Sequence, residues 1–346
     1  MRPLTLERLL WVCALLAGIL FVVIVVALKL GAVPVSIYGL GRDLIRVALG
    51  QSSQLSSEHR LIVFDIRLPR ILLGVFVGAA LSVAGASFQS LLRNPLADPY
   101  VLGVSSGSAL GAIVALIVAP HLNLEPSVSA MLTPLGAFLG GAATITVVYF
   151  LGRRDGQIDT ATLLLAGVIS ASFLSAFIMF LITTLPSRDV RGMAFWLMGE
   201  LSTPLPASLR WLVGIGFFAA AGAIYTTAAD LNLMIAGERE AMHLGVEVTR
   251  VKLLVYACAS ILTGLAVSVS GAVGYVGLLV PHAMRLLFGN DYRVLIPTSA
   301  FGGAIAVVIA DTLARTIVAP TELPLGAVTA MAGAPFFIYL LRRRAS

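Results

Sequence analysis

Residues 237–252 read GEREAMHLGVEVTRVK. In a chain of 346 residues that is 59% apolar and only 12% charged, these sixteen positions carry six formal charges: Glu238, Arg239, Glu240, Glu247, Arg250 and Lys252. Such a stretch belongs in water. Glu238 to Leu244 supplies about two helical turns. Gly245 tolerates positive φ and marks a break, and the next short piece leads into an apolar helix. The expectation is two short helices, bent at a glycine and lying on a membrane surface. The plainer alternative is a solvated loop between spans, since charge runs usually are solvated faces.

The rest of the chain sets that stretch in a membrane. With 33 glycines, long uncharged runs and a mean hydropathy of +0.99, the chain has too few polar groups to cover a soluble globule of its size. A hydrocarbon core about 30 Å thick takes roughly 20 apolar residues of helix. Ten such runs are expected, near 9–30, 68–91, 103–119, 131–152, 161–185, 208–229, 251–270, 274–289, 295–318 and 323–341. The first is too long in its apolar part for a signal peptide, and no small-residue cleavage pattern follows it cleanly. The fold class is therefore an all-α polytopic membrane protein, with residues 31–65 unassigned.

An even number of spans puts both termini on one side. Arg2, Arg8 and the tail Arg342-Arg343-Arg344 argue that this side is cytoplasmic. Arg93, Arg153, Arg154, Arg239, Arg250, Lys252, Arg285 and Arg293 fall there too, making thirteen of the 23 basic residues. Of the ten left outside, six cluster: Lys29, Arg42, Arg46, Arg60, Arg67 and Arg70. Either the topology differs at the start of the chain, or the outer face carries a positive patch for an acidic partner.

Several function classes drop out. The basic residues sit at the ends of apolar segments rather than on one face, so the net charge of +6 does not point to nucleic acid. Cys13 and Cys258 lie in apolar runs, where a thiol behaves as a small hydrophobe. His282 and His243 lack a second histidine at i+4, so no metal site or other cofactor is expected. A phosphate-cradling P-loop needs Gly-Lys-Ser/Thr, but the only lysines, Lys29 and Lys252, follow Leu28 and Val251. The chain is not expected to be an enzyme. An ion-coupled carrier wants an intramembrane carboxylate. Asp311 is the one acid deep in an apolar run, although Arg315 one turn later offers an i,i+4 partner. Gly78–Ala86 matches Gly264–Ala272 at six of nine positions, an offset of 186, which hints at an inverted repeat of the kind many transporters contain.

Further strings run the length of the chain: Arg67-Leu68-Pro69-Arg70, Asn94-Pro95-Leu96-Ala97-Asp98-Pro99 and Leu163-Leu164-Leu165-Ala166-Gly167. Trp196-Leu197-Met198-Gly199, Gly274-Tyr275-Val276-Gly277-Leu278, Ala310-Asp311 with Ala314-Arg315, Glu322-Leu323-Pro324-Leu325-Gly326 and Gly333-Ala334-Pro335-Phe336-Phe337 follow. From about Arg67 to Leu341 the chain resembles the FecCD family, the permeases of ABC importers for iron-siderophores, haem and cobalamin. The resemblance implies type II ABC importer permease architecture in the cell inner membrane. It implies two permease subunits, expected to be identical, two ATP-hydrolysing subunits on the cytoplasmic side, and a periplasmic or lipid-anchored substrate-binding protein.

Residue by residue, the resemblance implies that 237–252 is the segment gripped by the ATPase, through Glu238, Arg239, Glu240, Met242, His243, Leu244 and Gly245. It implies that Arg67, Arg70 and Arg315 receive glutamates of the binding protein, in competition with the Asp311–Arg315 pair. It implies a pathway lined by the fifth span, with Thr160 and Thr162 at its start and Ser172, Ala176 and Met179 at helical spacing. The competing reading of those five is ordinary helix packing, and the competing function is an ion-coupled secondary transporter. Which chelate is carried stays open.

Overall fold

The structure is a computed structural model. It describes residues 5–31, 56–154, 157–184, 187–202, 205–319 and 321–345, with isolated positions between 39 and 49. Most of the unassigned region between Gly31 and Asp65, and Arg2 of the basic set, therefore lie outside the described residues. Thirteen helices are labelled in chain order: α1 Leu6–Lys29, α2 Ser57–Leu91, α3 Val104–Val118, α4 Pro126–Leu151, α5 Thr160–Thr184, α6 Ser187–Leu197 and α7 Ala207–Thr226. The series continues with α8 Ala228–Ala236, α9 Glu238–His243, α10 Val248–Ser270, α11 Val276–Phe288, α12 Tyr292–Ala314 and α13 Leu325–Ala345. Eight of these are long and apolar enough to cross a membrane, and α11 and α13 add two shorter apolar stretches, ten in all among the described residues.

The second span starts a full three turns before the run at 68–91. Ser56 caps it by accepting from the His59 N–H at 3.2 Å, and a π-helical turn over Leu61–Arg67 carries it into Pro69. A proline ring crowds the carbonyl four residues back and donates no hydrogen bond. The wider π turn leaves room for both effects. Charged Glu58, Arg60 and Asp65 hid this stretch from a search for apolar runs.

α2 is the central post. Gly78 meets Gly303 of α12, and Gly85 meets Gly277 of α11, so closely that a Cβ would fall 2.1 Å and 1.8 Å from the facing carbonyl oxygens. Close backbone approach at small residues is how helices gain contact where lipid offers no hydrophobic contrast. α3 and α4 use the same device antiparallel to each other, Gly107 and Gly111 against Gly140 and Gly136.

Two connectors are not α-helical. Pro99–Leu102 forms a 3-10 turn before α3, and 271–275 leads from α10 into α11. They meet inside the protein, where the Tyr100 hydroxyl donates to Val273 O and accepts from Val273 N–H, both at 3.0 Å. Irregular backbone at membrane depth persists only where protein satisfies it. α11 begins at this junction, beside Leu81 and Gly85 of α2, and its 13 residues reach about 20 Å, short of a hydrocarbon core of about 30 Å. The antiparallel α2 and α10 carry the two halves of the 78–86 and 264–272 repeat, and each leads into such a connector and a shorter helix.

Contacts sort the helix ends onto two faces. Arg8 near the start of α1 donates to Phe288 O at the end of α11, and the end of α2 and the start of α10 lie on the same face through Glu238. The starts of α2 and α13 and the ends of α1 and α12 share the opposite face through Arg70, Asp311 and Glu322. These are called the Glu238 face and the Asp311 face.

Candidate functional site

On the Glu238 face, α8 and α9 form a bent pair between α7 and α10. Gly237 makes the first bend at φ +148°, with the Glu240 carboxylate folded over it so that a Cβ would fall 1.8 Å from Oε2. Gly245 makes the second at φ +89°. Both values are strained for residues with a Cβ. Ala241 is buried and pins α9 to the bundle, whereas Arg239, Glu240, Met242, His243, Leu244 and Gly245 are exposed. Met242 is 53% exposed and Leu244 66%, and Leu233 and Ile235 of α8 join them. Large apolar side chains beyond the ends of the spans mark a contact surface.

Glu238 behaves differently from its neighbours. Its Oε1 lies 3.1 Å from Arg93 Nη2 and 2.5 Å from Lys252 Nζ, facing the bundle. α8 has its own fastening: Asn232 donates to Asp291 Oδ1 at 2.7 Å and accepts from Tyr292 N–H at 2.8 Å, at the start of α12. The Arg293 side-chain bond, helped by Asn232, holds the Asp291 carboxyl below its ordinary value against some opposing burial. Leu233, Ile235 and Asn232 were not singled out from sequence, and Arg93 was read only as a positive charge on the cytoplasmic side. The roles of the first three depend on which way α8 faces, and a nine-residue helix carries too weak a periodic signal to show it.

On the Asp311 face, Arg67, Arg70 and Arg315 do converge, but against the chain's own acceptors. Arg70 donates to Asp311 at 2.8 to 3.1 Å and, through Nη1, to Glu322 at 2.9 and 3.0 Å. Arg315 Nε stands 3.8 Å from Asp311, so the i,i+4 partner expected from sequence is the looser one. Arg315 also donates to Ala27 O, and Arg67 to Leu28 O at 2.7 Å. Two arginines thus satisfy carbonyls in the last turn of α1, groups a helix cannot pair internally. Arg67 and Arg315 are buried; Arg70 is reached from solvent beside Glu322, whose side chain is 46% exposed. Asp311 is thus paired with both Arg70 and Arg315.

α5 starts on the Glu238 face. Asp159 caps it, accepting from Thr162 N–H at 2.8 Å and from the Thr162 hydroxyl at 2.5 Å, so Thr162 is first a capping residue. Thr160 is half-buried. Ser172, Ala176 and Met179 lie on the exposed side with Leu165, Ile169, Phe173 and Phe180, while Leu163, Ala166, Gly167 and Ile178 are buried. This helix offers most of its circumference to lipid, solute or a second chain. Among the described residues no group of three metal-ligating side chains occurs.

A multi-pass helical bundle with close glycine-to-glycine packing, irregular connectors buried between its helices and a charged bend on one face is the architecture of a membrane transport permease. The FecCD transport family profile matches residues 19–343, and the chain belongs to that family. It is 42% identical over 323 residues to the cobalamin import system permease protein BtuC of Halobacterium salinarum, covering 90% of this chain and 82% of that one. It is 41% identical to the hemin transport system permease protein HmuU of Yersinia pestis, covering 82% of this chain and 84% of that one. A solved structure of a metal-chelate-type ABC transporter in an inward-facing conformation superposes with a TM-score of 0.80 at 27% identity, covering 96% of this chain and 99% of its own.

Proposed function

We propose that this permease carries a bulky metal chelate, such as a ferric siderophore, haem or cobalamin, across the inner membrane into the cell. ATP hydrolysis in a pair of separate subunits drives it. The observation that carries the reading is the exposed bend of α8 and α9, with Leu233, Ile235, Met242 and Leu244 presented beyond the spans among charged residues. A permease of this family without a phosphate-binding loop of its own takes ATP-derived force from a partner, and this bend is a surface for one. Glu238, Arg239, Glu240, Met242, His243, Leu244 and Gly245 form that coupling segment. The Glu238 face and both termini are then cytoplasmic, in keeping with the thirteen basic residues assigned there.

On the outer face a soluble binding protein delivers the chelate. Its acidic groups meet Arg70 first, displacing Glu322, and reach Arg67 and Arg315 only if the end of α1 yields. A second copy of the permease closes the pathway along the exposed side of α5, where Thr160, Thr162, Ser172, Ala176 and Met179 stand. The paired state of Asp311 removes the main motive for an ion-coupled carrier. The test is co-reconstitution with the ATPase and binding protein, comparing uptake of ferric siderophore, haem and cobalamin. ATP-dependent uptake of one of them is expected. Uptake by the permease alone along a proton or sodium gradient would refute the reading.

A further inference from the structure

We propose that Glu238 is a positioning residue, clamping the coupling bend between Arg93, at the root of the connector from α2 to α3, and Lys252, on the second turn of α10. This rests on the reading that an ATPase grips the bend. One carboxylate oxygen, Oε1, serves both cations, at 3.1 Å from Arg93 Nη2 and 2.5 Å from Lys252 Nζ. The Lys252 side chain is only 10% exposed, and Glu238 is the acidic partner it has among the described residues. A nearly buried ammonium holds its counter-ion firmly, so Glu238 is tied to the bundle while Met242 and Leu244 look away from it.

Arg93 extends the linkage. Its φ of +48° is the left-handed conformation, uncommon for a residue with a Cβ, and it turns the chain sharply out of α2. The following NPLADP stretch is closed by Asn94 Oδ1 accepting from Leu96 N–H at 2.9 Å and by Asp98 Oδ1 accepting from Tyr100 N–H at 2.8 Å. The connector then lies hard against α5. A Cβ on Gly167 would fall 2.5 Å from Val101 O, and Tyr100 is fixed to Val273. Force on the bend therefore has two stiff routes inward, through Lys252 into α10 and through Arg93 into the connector and α5.

The experiment uses the complete transporter in liposomes and reads chelate moved per ATP hydrolysed, together with the ATPase retained on purification. Glu238→Gln and Arg93→Gln should each lower that ratio by about fivefold or more, a coupling change of ordinary size, with the ATPase retained at wild-type stoichiometry. Arg93→Lys should recover most of it. If Glu238→Gln instead sheds the ATPase, Glu238 is a docking contact and the clamp is refuted. An unchanged ratio in Arg93→Gln, whose side chain is 53% exposed and which should fold even if Glu238→Gln does not, refutes it equally. A wild-type permease that retains no ATPase would overturn the underlying reading, and the clamp with it.

Discussion

Arg70 holds the Asp311 face together by reaching two carboxylates with different surroundings. Asp311 is 3% exposed at its side chain and Glu322 46%, so the first pair is nearly out of water and the second largely in it. Removing one partner of a buried pair leaves a charge uncompensated, typically at about 3–5 kcal/mol, whereas an exposed pair is worth about 1 kcal/mol or less. Arg70→Met should therefore cut thermal stability in detergent severely, Glu322→Gln should barely change it, and Arg70→Met with Asp311→Asn should recover much of the loss. Equal losses from Arg70→Met and Glu322→Gln would contradict this picture. The Arg70–Asp311 pair was not legible in the sequence, because its members are 241 residues apart and Arg315, four residues from Asp311, was the visible candidate.

Among the elements, helix contacts depend on where backbone must touch backbone. Gly85→Ala should force α2 and α11 apart and cost about 1–3 kcal/mol by overpacking. Gly222→Ala in α7, where an added Cβ meets nothing within 4 Å, should be neutral or stabilising. Comparable losses at both sites would mean that the glycines matter for chain flexibility rather than for close approach. The coupling bend makes a separate expectation. Met242→Asp with Leu244→Asp should leave thermal stability unchanged, because both side chains already face solvent, yet lower ATPase retention at least tenfold. Retention at the wild-type level would remove the bend from the interface. The helix at Glu238–His243 and the break at Gly245 were readable because charge is rare in this apolar chain, but the second short helix of the pair is Ala228–Ala236 before it rather than the piece after Gly245, which runs straight into Val248–Ser270. The helix Ser187–Leu197 and the start of the second span at Ser57 were not, since neither is an apolar run.

For the whole molecule, ten apolar stretches were visible because a bilayer demands length and hydropathy, which are local properties. Depth was not. The run at 274–289 looked like any other span, but it begins at the buried meeting of two connectors and is only 13 residues of helix. Likewise Arg67, Arg70 and Arg315, expected from the resemblance to receive glutamates of a binding protein, are engaged within the chain as a brace between helices, because burial depends on what α1 brings to them. The architecture presents two faces joined by α2: a braced Asp311 end and, in the proposed reading, a gripped Glu238 end, with the connector to α3 between. The direct test is uptake in liposomes holding permease, ATPase and binding protein, with ATP supplied only on the Glu238 face. Chelate should accumulate only with ATP there, and should stop when Met242 and Leu244 are both replaced by Asp. Accumulation that ignores ATP on that face, or survives both substitutions unchanged, would contradict the account.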